Sequence, residues 1–67
     1  MRKKERAELI DRLADEMARS GEYADWMEIE VALRHQGYRE ARQLLDDRYR
    51  RNELDGMCRQ ARLKNGG

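Results

Sequence analysis

The chain has 67 residues, of which 43% are charged, and it contains no proline and a single cysteine. At this length it forms one domain, whose core contributes only about 3–5 kcal/mol of stability unless something adds to it. One cysteine excludes a disulfide framework, and a lone histidine beside it makes a zinc site a poor candidate. We therefore expect self-association, most simply as a homodimer, or the binding of another protein to supply further stabilisation.

The composition favours an all-α fold. Alanine, leucine, glutamate, arginine and methionine, which are good helix formers, dominate the chain, and β-branched residues are few. No run of about 18 apolar residues predicts a membrane span. The basic segment 1–6 is not followed by the apolar stretch of a secretory signal, and one free cysteine suits a reducing compartment. We expect a cytoplasmic protein that folds over residues 1–67 as a compact bundle of three to four short helices.

Charge is distributed unevenly along the chain, although the net charge is only +1. Residues 1–7 carry a charge of +3, residues 8–47 carry −6 and residues 48–67 carry +4. Such asymmetry can steer a charged partner towards the protein. The alternative is that the basic ends neutralise the acidic middle within the fold or between subunits.

The first helix is predicted at about 4–19, from apolar residues at three- and four-residue steps. These residues are Ala7, Ile10, Leu13, Ala14, Met17 and Ala18. Gly21 suits the left-handed position that ends a helix.

The second helix is predicted at about 25–36, between two local signals. Asp25 is a good N-cap, and Glu28, three residues on, completes the pattern of a capping box. Gly37 suits the position after the last turn.

The second helix is apolar on two sides, whereas a helix needs only one apolar stripe to join a core. One side carries Trp26, Ile29, Ala32 and Leu33. The other carries Met27 and Val31, with Tyr23 nearby, and we predict these three residues to form a protein interface. The alternative is that helices 1 and 3 cover both sides and that no partner is involved.

The third helix is predicted at about 38–50, with Tyr38, Ala41, Leu45 and Tyr49 on its apolar stripe. A rotated stripe then predicts a fourth helix at about 53–63, with Asn52 as its N-cap and Gly56 as a weak point. The break could equally lie at Asp46–Asp47, with the fourth helix starting at Arg48. Residues 64–67 are expected to form a frayed tail.

No residue pattern predicts catalysis. Ser20 has no base at motif spacing, and His35 with Cys58 makes neither a metal cage nor a supported nucleophile–base pair. The adjacent carboxylates Asp46 and Asp47 lack a third ligand and are better explained by a helix end. We therefore predict a protein that is not an enzyme, with no cofactor and no metal.

Nucleic-acid binding is the alternative function. The second helix, its turn and the third helix have the outline of a helix-turn-helix, in which arginine and glutamine side chains could read base edges or contact phosphates. The candidate residues are Arg39, Arg42, Gln43, Arg48, Arg50 and Arg51. Against this, Glu40, Asp46 and Asp47 share that surface, and the whole domain is almost neutral.

Three segments carry a resemblance to a known class of proteins: Tyr23–Trp26, the Leu33–Tyr38 turn and Glu40–Asp46. Together they resemble the small helical proteins encoded in the early or accessory regions of Mu-like transposable phages and prophages of proteobacteria. The resemblance implies a protein that binds a host protein, including defence complexes, and inhibits or redirects it. Some of these proteins are DNA-binding regulators. The resemblance supplies no functional residues.

Overall fold

Four helices make up most of the computed structural model of this chain, which describes residues 2–64. In chain order they are α1 (Lys3–Ser20), α2 (Trp26–His35), α3 (Ala41–Leu44) and α4 (Arg48–Lys64). No strand occurs within residues 2–64, and the all-α helical bundle is confirmed. The long helices α1 and α4 pack along each other, and α2 contacts α1, α3 and α4.

Helix α1 follows the predicted pattern. Ile10, Ala14 and Ala18 lie on one face and are fully buried. The helix ends at Ser20, and Gly21 takes the left-handed backbone conformation with a φ of 78°. Glycine adopts this conformation without the steric cost of a side chain, so Gly21 ends the helix as predicted.

The start of α2 is held by three carboxylates. Asp25 accepts a hydrogen bond from the backbone N–H of Glu28 (3.1 Å), as predicted for the N-cap. The Glu28 side chain accepts one from the N–H of Ala24 (3.0 Å) rather than from Asp25 itself. Asp55, from α4, accepts one from the N–H of Trp26 (2.8 Å). Two of these partners are local in sequence, whereas Asp55 reaches α2 only through the tertiary fold.

The predicted third helix at about 38–50 is wrong in extent. Helix α3 covers only Ala41–Leu44, and α4 begins at Arg48 rather than near residue 53. The break therefore lies at Asp46–Asp47, which is the alternative that the sequence left open. Helix α4 continues to Lys64, and the rest of the expected 64–67 tail lies outside the described residues.

Asp47 explains the position of the break. Its carboxylate accepts hydrogen bonds from the backbone N–H groups of Tyr49 (2.9 Å) and Arg50 (3.5 Å). These are donors of the first turn of α4 that no helical carbonyl can satisfy. Asp47 rather than Asn52 therefore caps the start of α4, which begins at Arg48. Tyr49, predicted to face the core, is 86% exposed.

The core is formed by buried side chains from all four helices and from the residue after α3. They are Ile10, Ala14, Ala18, Ile29, Leu33, Ala41, Leu45, Leu54 and Cys58. Trp26 and Tyr23 pack against the edge of this core and are only half-buried. Because several of the core residues are small, the apolar area removed from water is modest.

Candidate functional site

The outer surface of α2 brings together the three residues that were predicted to form an interface. Tyr23, Met27 and Val31 line one shallow depression on it. Met27 is 56% exposed and Val31 is 36% exposed, whereas Tyr23 is half-buried at the edge of the core. We call this surface the α2 patch, and it is lined by Glu22, Tyr23, Met27, Glu28, Val31, Ala32 and His35.

The α2 patch lies on the side of the helix away from the core. Ile29 and Leu33 are fully buried on the core side. Although α1, α3 and α4 all contact α2, they leave Met27 and Val31 exposed. The alternative in which neighbouring helices bury both apolar sides of α2 is therefore not the arrangement found within residues 2–64.

Charged and titratable residues lie beside the apolar side chains of the α2 patch. Glu22 lies at its N-terminal end, Glu28 follows Met27 in the helix, and His35 lies at its C-terminal end with Arg34 beside it. Arg34 forms an ion pair with the buried Glu30 (3.3 Å), yet 43% of its side chain remains exposed. The exposed apolar side chains of this surface are therefore flanked by charged residues of both signs.

Arg50, one of the predicted nucleic-acid contacts, is instead bound within the protein. Its guanidinium forms ion pairs with Asp11 (2.9 Å), Asp15 (2.8 Å) and Glu53, and only 13% of the side chain is exposed. Burial lowers the pKa of Arg50, but hydrogen bonds with Asp15 and Glu53 and the charge of Asp11 outweigh this effect, so the pKa is raised. Arg50 therefore links α4 to α1 as a permanent cation.

Arg51 is also engaged inside the fold. Its guanidinium lies over the ring of Trp26, 3.9 Å from the ring centroid. Its Nε donates a hydrogen bond to the carbonyl oxygen of Leu45 (2.9 Å), and it forms an ion pair with Asp46 (3.1 Å). Arg51 thus connects the turn between α3 and α4 with Trp26 of α2.

The other predicted nucleic-acid contacts are exposed but do not share one helix. Arg39 precedes α3, Arg42 and Gln43 lie within it, and Arg48 begins α4. A helix of four residues is only about 6 Å long. Residues 38–50 consequently do not form the recognition helix that the helix-turn-helix alternative requires.

The residues considered for chemistry have separate environments. Burial raises the pKa of the Cys58 thiol, and the charge of Asp55 adds to this, so the reactive thiolate is disfavoured. His35 is exposed, and the Ser20 hydroxyl bonds to the backbone of its own turn. Within residues 2–64, no three His, Cys, Asp or Glu side chains cluster as a metal site would require. The helices of this range also include none with the length and apolar character to span a membrane.

An ion pair between Arg6 and Glu40 was missed by the sequence analysis. The two side chains meet at 2.5 and 3.0 Å, and Arg6 also donates to the carbonyl oxygen of Gly37 (3.2 Å). The hydrogen bonds from Arg6, followed by one from the Glu40 backbone, lower the pKa of Glu40 to about 2. The partners are 34 residues apart, and no periodic pattern signals such a contact.

Comparisons with protein families, with curated proteins and with solved structures find no match to this chain. The assignment of a function therefore depends on the residues and their geometry. Within residues 2–64, the α2 patch is a surface where two large exposed apolar side chains, Met27 and Val31, lie together beside charged residues.

Proposed function

We propose that this protein is a non-enzymatic binding protein that acts by protein–protein association through the α2 patch. One observation carries the proposal: Met27 and Val31 are exposed on a helix that three other helices contact. Methionine side chains adapt to the shape of a partner, and tyrosine side chains such as Tyr23 are frequent anchors at interfaces. Exposed apolar side chains flanked by charged residues have the make-up of an interaction surface.

The resemblance to accessory proteins of Mu-like phages supplies a biological setting. In this setting the chain is a phage or bacterial accessory protein that inhibits or redirects a host protein, such as a defence component. The lone cysteine suits the reducing cytoplasm, where such a host protein would be met. A nucleic-acid-binding regulator is the alternative, and it would use the exposed Arg39, Arg42 and Arg48.

The experiment compares three immobilised forms of the protein in a nuclease-treated proteobacterial lysate. They are the natural sequence, the patch variant Met27→Lys/Val31→Lys and the control variant Tyr49→Lys/Leu63→Lys. Both variants add the same charge, and Tyr49 and Leu63 are exposed apolar residues outside the α2 patch. Lysine also retains an aliphatic stem and a high helix propensity.

The proposal expects the same dominant protein to be captured by the natural sequence and by the control variant, but not by the patch variant. Equal capture by all three forms, or no capture by any of them, would overturn it. Retention of nucleic acid when nuclease is omitted, weakening steeply with salt, would instead favour the regulator alternative.

A further inference from the structure

We propose that one end of this protein binds single-stranded nucleic acid. The surface combines exposed basic side chains from the starts of α1 and α4 and from segment 39–43 with the exposed ring of a tyrosine. We call it the basic end, and its residues are Lys3, Arg39, Arg42, Gln43, Arg48 and Tyr49. The inference goes beyond the proposed function because it assigns a second binding activity to a surface separate from the α2 patch.

The fold brings two distant segments together at this end. Arg6, in the first turn of α1, bonds to Glu40 at 2.5 and 3.0 Å. Lys3, one turn earlier, lines a shallow depression together with Gln43 of α3. The basic start of the chain therefore lies beside α3, although more than 30 residues separate them in sequence.

The start of α4 lies towards the same end, because α1 and α4 run in the same direction. Arg50, in the first turn of α4, forms an ion pair with Asp11 of α1 (2.9 Å). Arg19, near the end of α1, lines a depression together with Lys64 at the end of α4. Arg48, the first residue of α4, is consequently on the side of the molecule where α1 begins.

The carboxylates of this end have partners within the fold. Glu40 and Asp46 form ion pairs with arginines of α1 and α4. Asp47 accepts hydrogen bonds from the first turn of α4. Glu5 lies in the first turn of α1, where the helix dipole favours a negative charge. These carboxylates are therefore compensated locally and oppose a bound phosphate less than free ones would.

The basic side chains, in contrast, face solvent. Segments 2–6 and 39–48 hold seven basic and four acidic side chains, which gives them a net charge of +3. Four exposed cations form no ion pair within residues 2–64, namely Lys3, Arg39, Arg42 and Arg48. These side chains are available to phosphate groups.

Tyr49 favours a single strand as the ligand. Its side chain is 86% exposed and contributes little to the core. A ring next to arginines can stack on an unpaired base while the arginines contact phosphates. The bases of a duplex are already stacked on each other, and lipid headgroups offer no base for the ring. This mode of binding also needs no recognition helix, which the short α3 cannot provide.

Fluorescence anisotropy with a labelled oligothymidylate of about 16 nucleotides tests the inference on the intact chain. The natural sequence is expected to bind it with a dissociation constant below about 100 μM at about 50 mM salt. Arg39→Gln/Arg42→Gln should weaken binding about tenfold or more. It should also reduce the salt dependence, because each lost phosphate contact removes about 0.7 from the slope of log K against log salt.

Arg59→Gln/Arg62→Gln is the matched control. It removes the same charge from two exposed arginines towards the other end of α4, beyond about one Debye length from Arg48. Its dissociation constant should stay within about threefold of that of the natural sequence. All variants should keep the helical circular dichroism of the natural sequence, since the replaced side chains are exposed and glutamine is a good helix former.

Tyr49→Ala tests the stacking contact. It should weaken binding of the single strand about fivefold or more and leave binding of a duplex of the same length unchanged. Duplex binding as tight as that of the single strand, with no effect of Tyr49→Ala, would exclude the single strand as the preferred ligand.

Three further outcomes would overturn the proposal. They are no binding of the oligonucleotide up to about 1 mM protein, equal weakening by the two arginine pairs, and tighter binding to phosphatidylserine vesicles than to the oligonucleotide. None of them bears on the α2 patch, because Met27 and Val31 are not part of the basic end. Loss of protein capture in the patch variant and loss of oligonucleotide binding in Arg39→Gln/Arg42→Gln are therefore separate results.

Discussion

Two arginines of helix α4 bind other residues of the protein, whereas two apolar side chains of helix α2 remain exposed to solvent. Arg50 and Arg51 of α4 are held by carboxylates, a carbonyl oxygen and the ring of Trp26. Met27 and Val31 of α2 remain exposed. In a chain of this size the core is too small to bury every apolar side chain, and a long arginine can reach partners on neighbouring helices. Polar contacts of Arg50 and Arg51 thus add to the apolar packing at the start of α4, whereas apolar side chains of α2 remain exposed.

The largest loss of stability is expected when Arg50 is replaced. Arg50→Ala removes the cation that α1 and α4 share and leaves three carboxylates close together. Because those carboxylates are partly exposed, we expect a loss of about 2 kcal/mol in the free energy of unfolding rather than the larger cost of a fully buried pair. Urea unfolding followed by circular dichroism measures this loss.

Arg48→Ala serves as the control because Arg48 is exposed, and its free energy of unfolding should change by no more than about 0.5 kcal/mol. Equal effects at the two positions would contradict the structural role of Arg50.

A smaller loss is expected at Arg51. Arg51→Ala removes the contact with the Trp26 ring and the hydrogen bond to Leu45, which together contribute about 1 kcal/mol. Trp26 is the single tryptophan of the chain, so its fluorescence reports this change directly. The emission spectrum should shift in Arg51→Ala and stay unchanged in Arg48→Ala. An unchanged spectrum in Arg51→Ala would show that the guanidinium does not cover the ring.

Gly56 offers a gain in stability. It lies within α4, and a Cβ atom added there meets nothing within 4 Å. Gly56→Ala should therefore raise the free energy of unfolding by about 0.5–1 kcal/mol, because alanine is the better helix former. Gly37→Ala is the matched control: its surroundings are equally open, but its φ of 98° strains any side chain, so it should destabilise the protein. Destabilisation by Gly56→Ala would mean that α4 does not continue as a regular helix there.

The effect of pH at Glu40 should be the smallest. The folded pKa of Glu40 is about 2, below the value of about 4.3 expected when unfolded, so its ion pair with Arg6 stabilises the fold at neutral pH. This contribution should be fully present above about pH 5 and should disappear as the pH falls towards 2. Urea unfolding of the natural sequence and of Glu40→Gln should therefore differ at pH 6 and converge near pH 2. A difference that does not depend on pH would rule out the ion pair as its source.

Features that depend on neighbouring residues could be predicted from the sequence. The apolar spacing of α1, Gly21 after its end and the Asp25 cap of α2 all appear in the structure as expected. Each is determined by residues within about one helical turn, so the local pattern contains the necessary information.

Features that depend on tertiary contacts could be predicted only in part. The spacing of Tyr49 continues the apolar stripe of residues 38–45, and this spacing conceals the capping role of Asp47 at the start of α4. The contacts of Arg50 with Asp11 and Asp15 and of Arg51 with Trp26 were missed because these partners lie on other helices or beyond the reach of local patterns. The α2 patch was predictable as a second apolar face, but only the structure shows that neighbouring helices leave it exposed.

The most direct test of the central claim is the stability of Met27→Lys/Val31→Lys in dilute solution, where no partner contributes. If the α2 patch is exposed surface in the single chain, the free energy of unfolding of this variant should lie within about 1 kcal/mol of that of the natural sequence. The control variant Tyr49→Lys/Leu63→Lys should behave in the same way. A loss of more than about 2 kcal/mol in the patch variant alone would show that Met27 and Val31 belong to the core, and the proposed interface would be wrong.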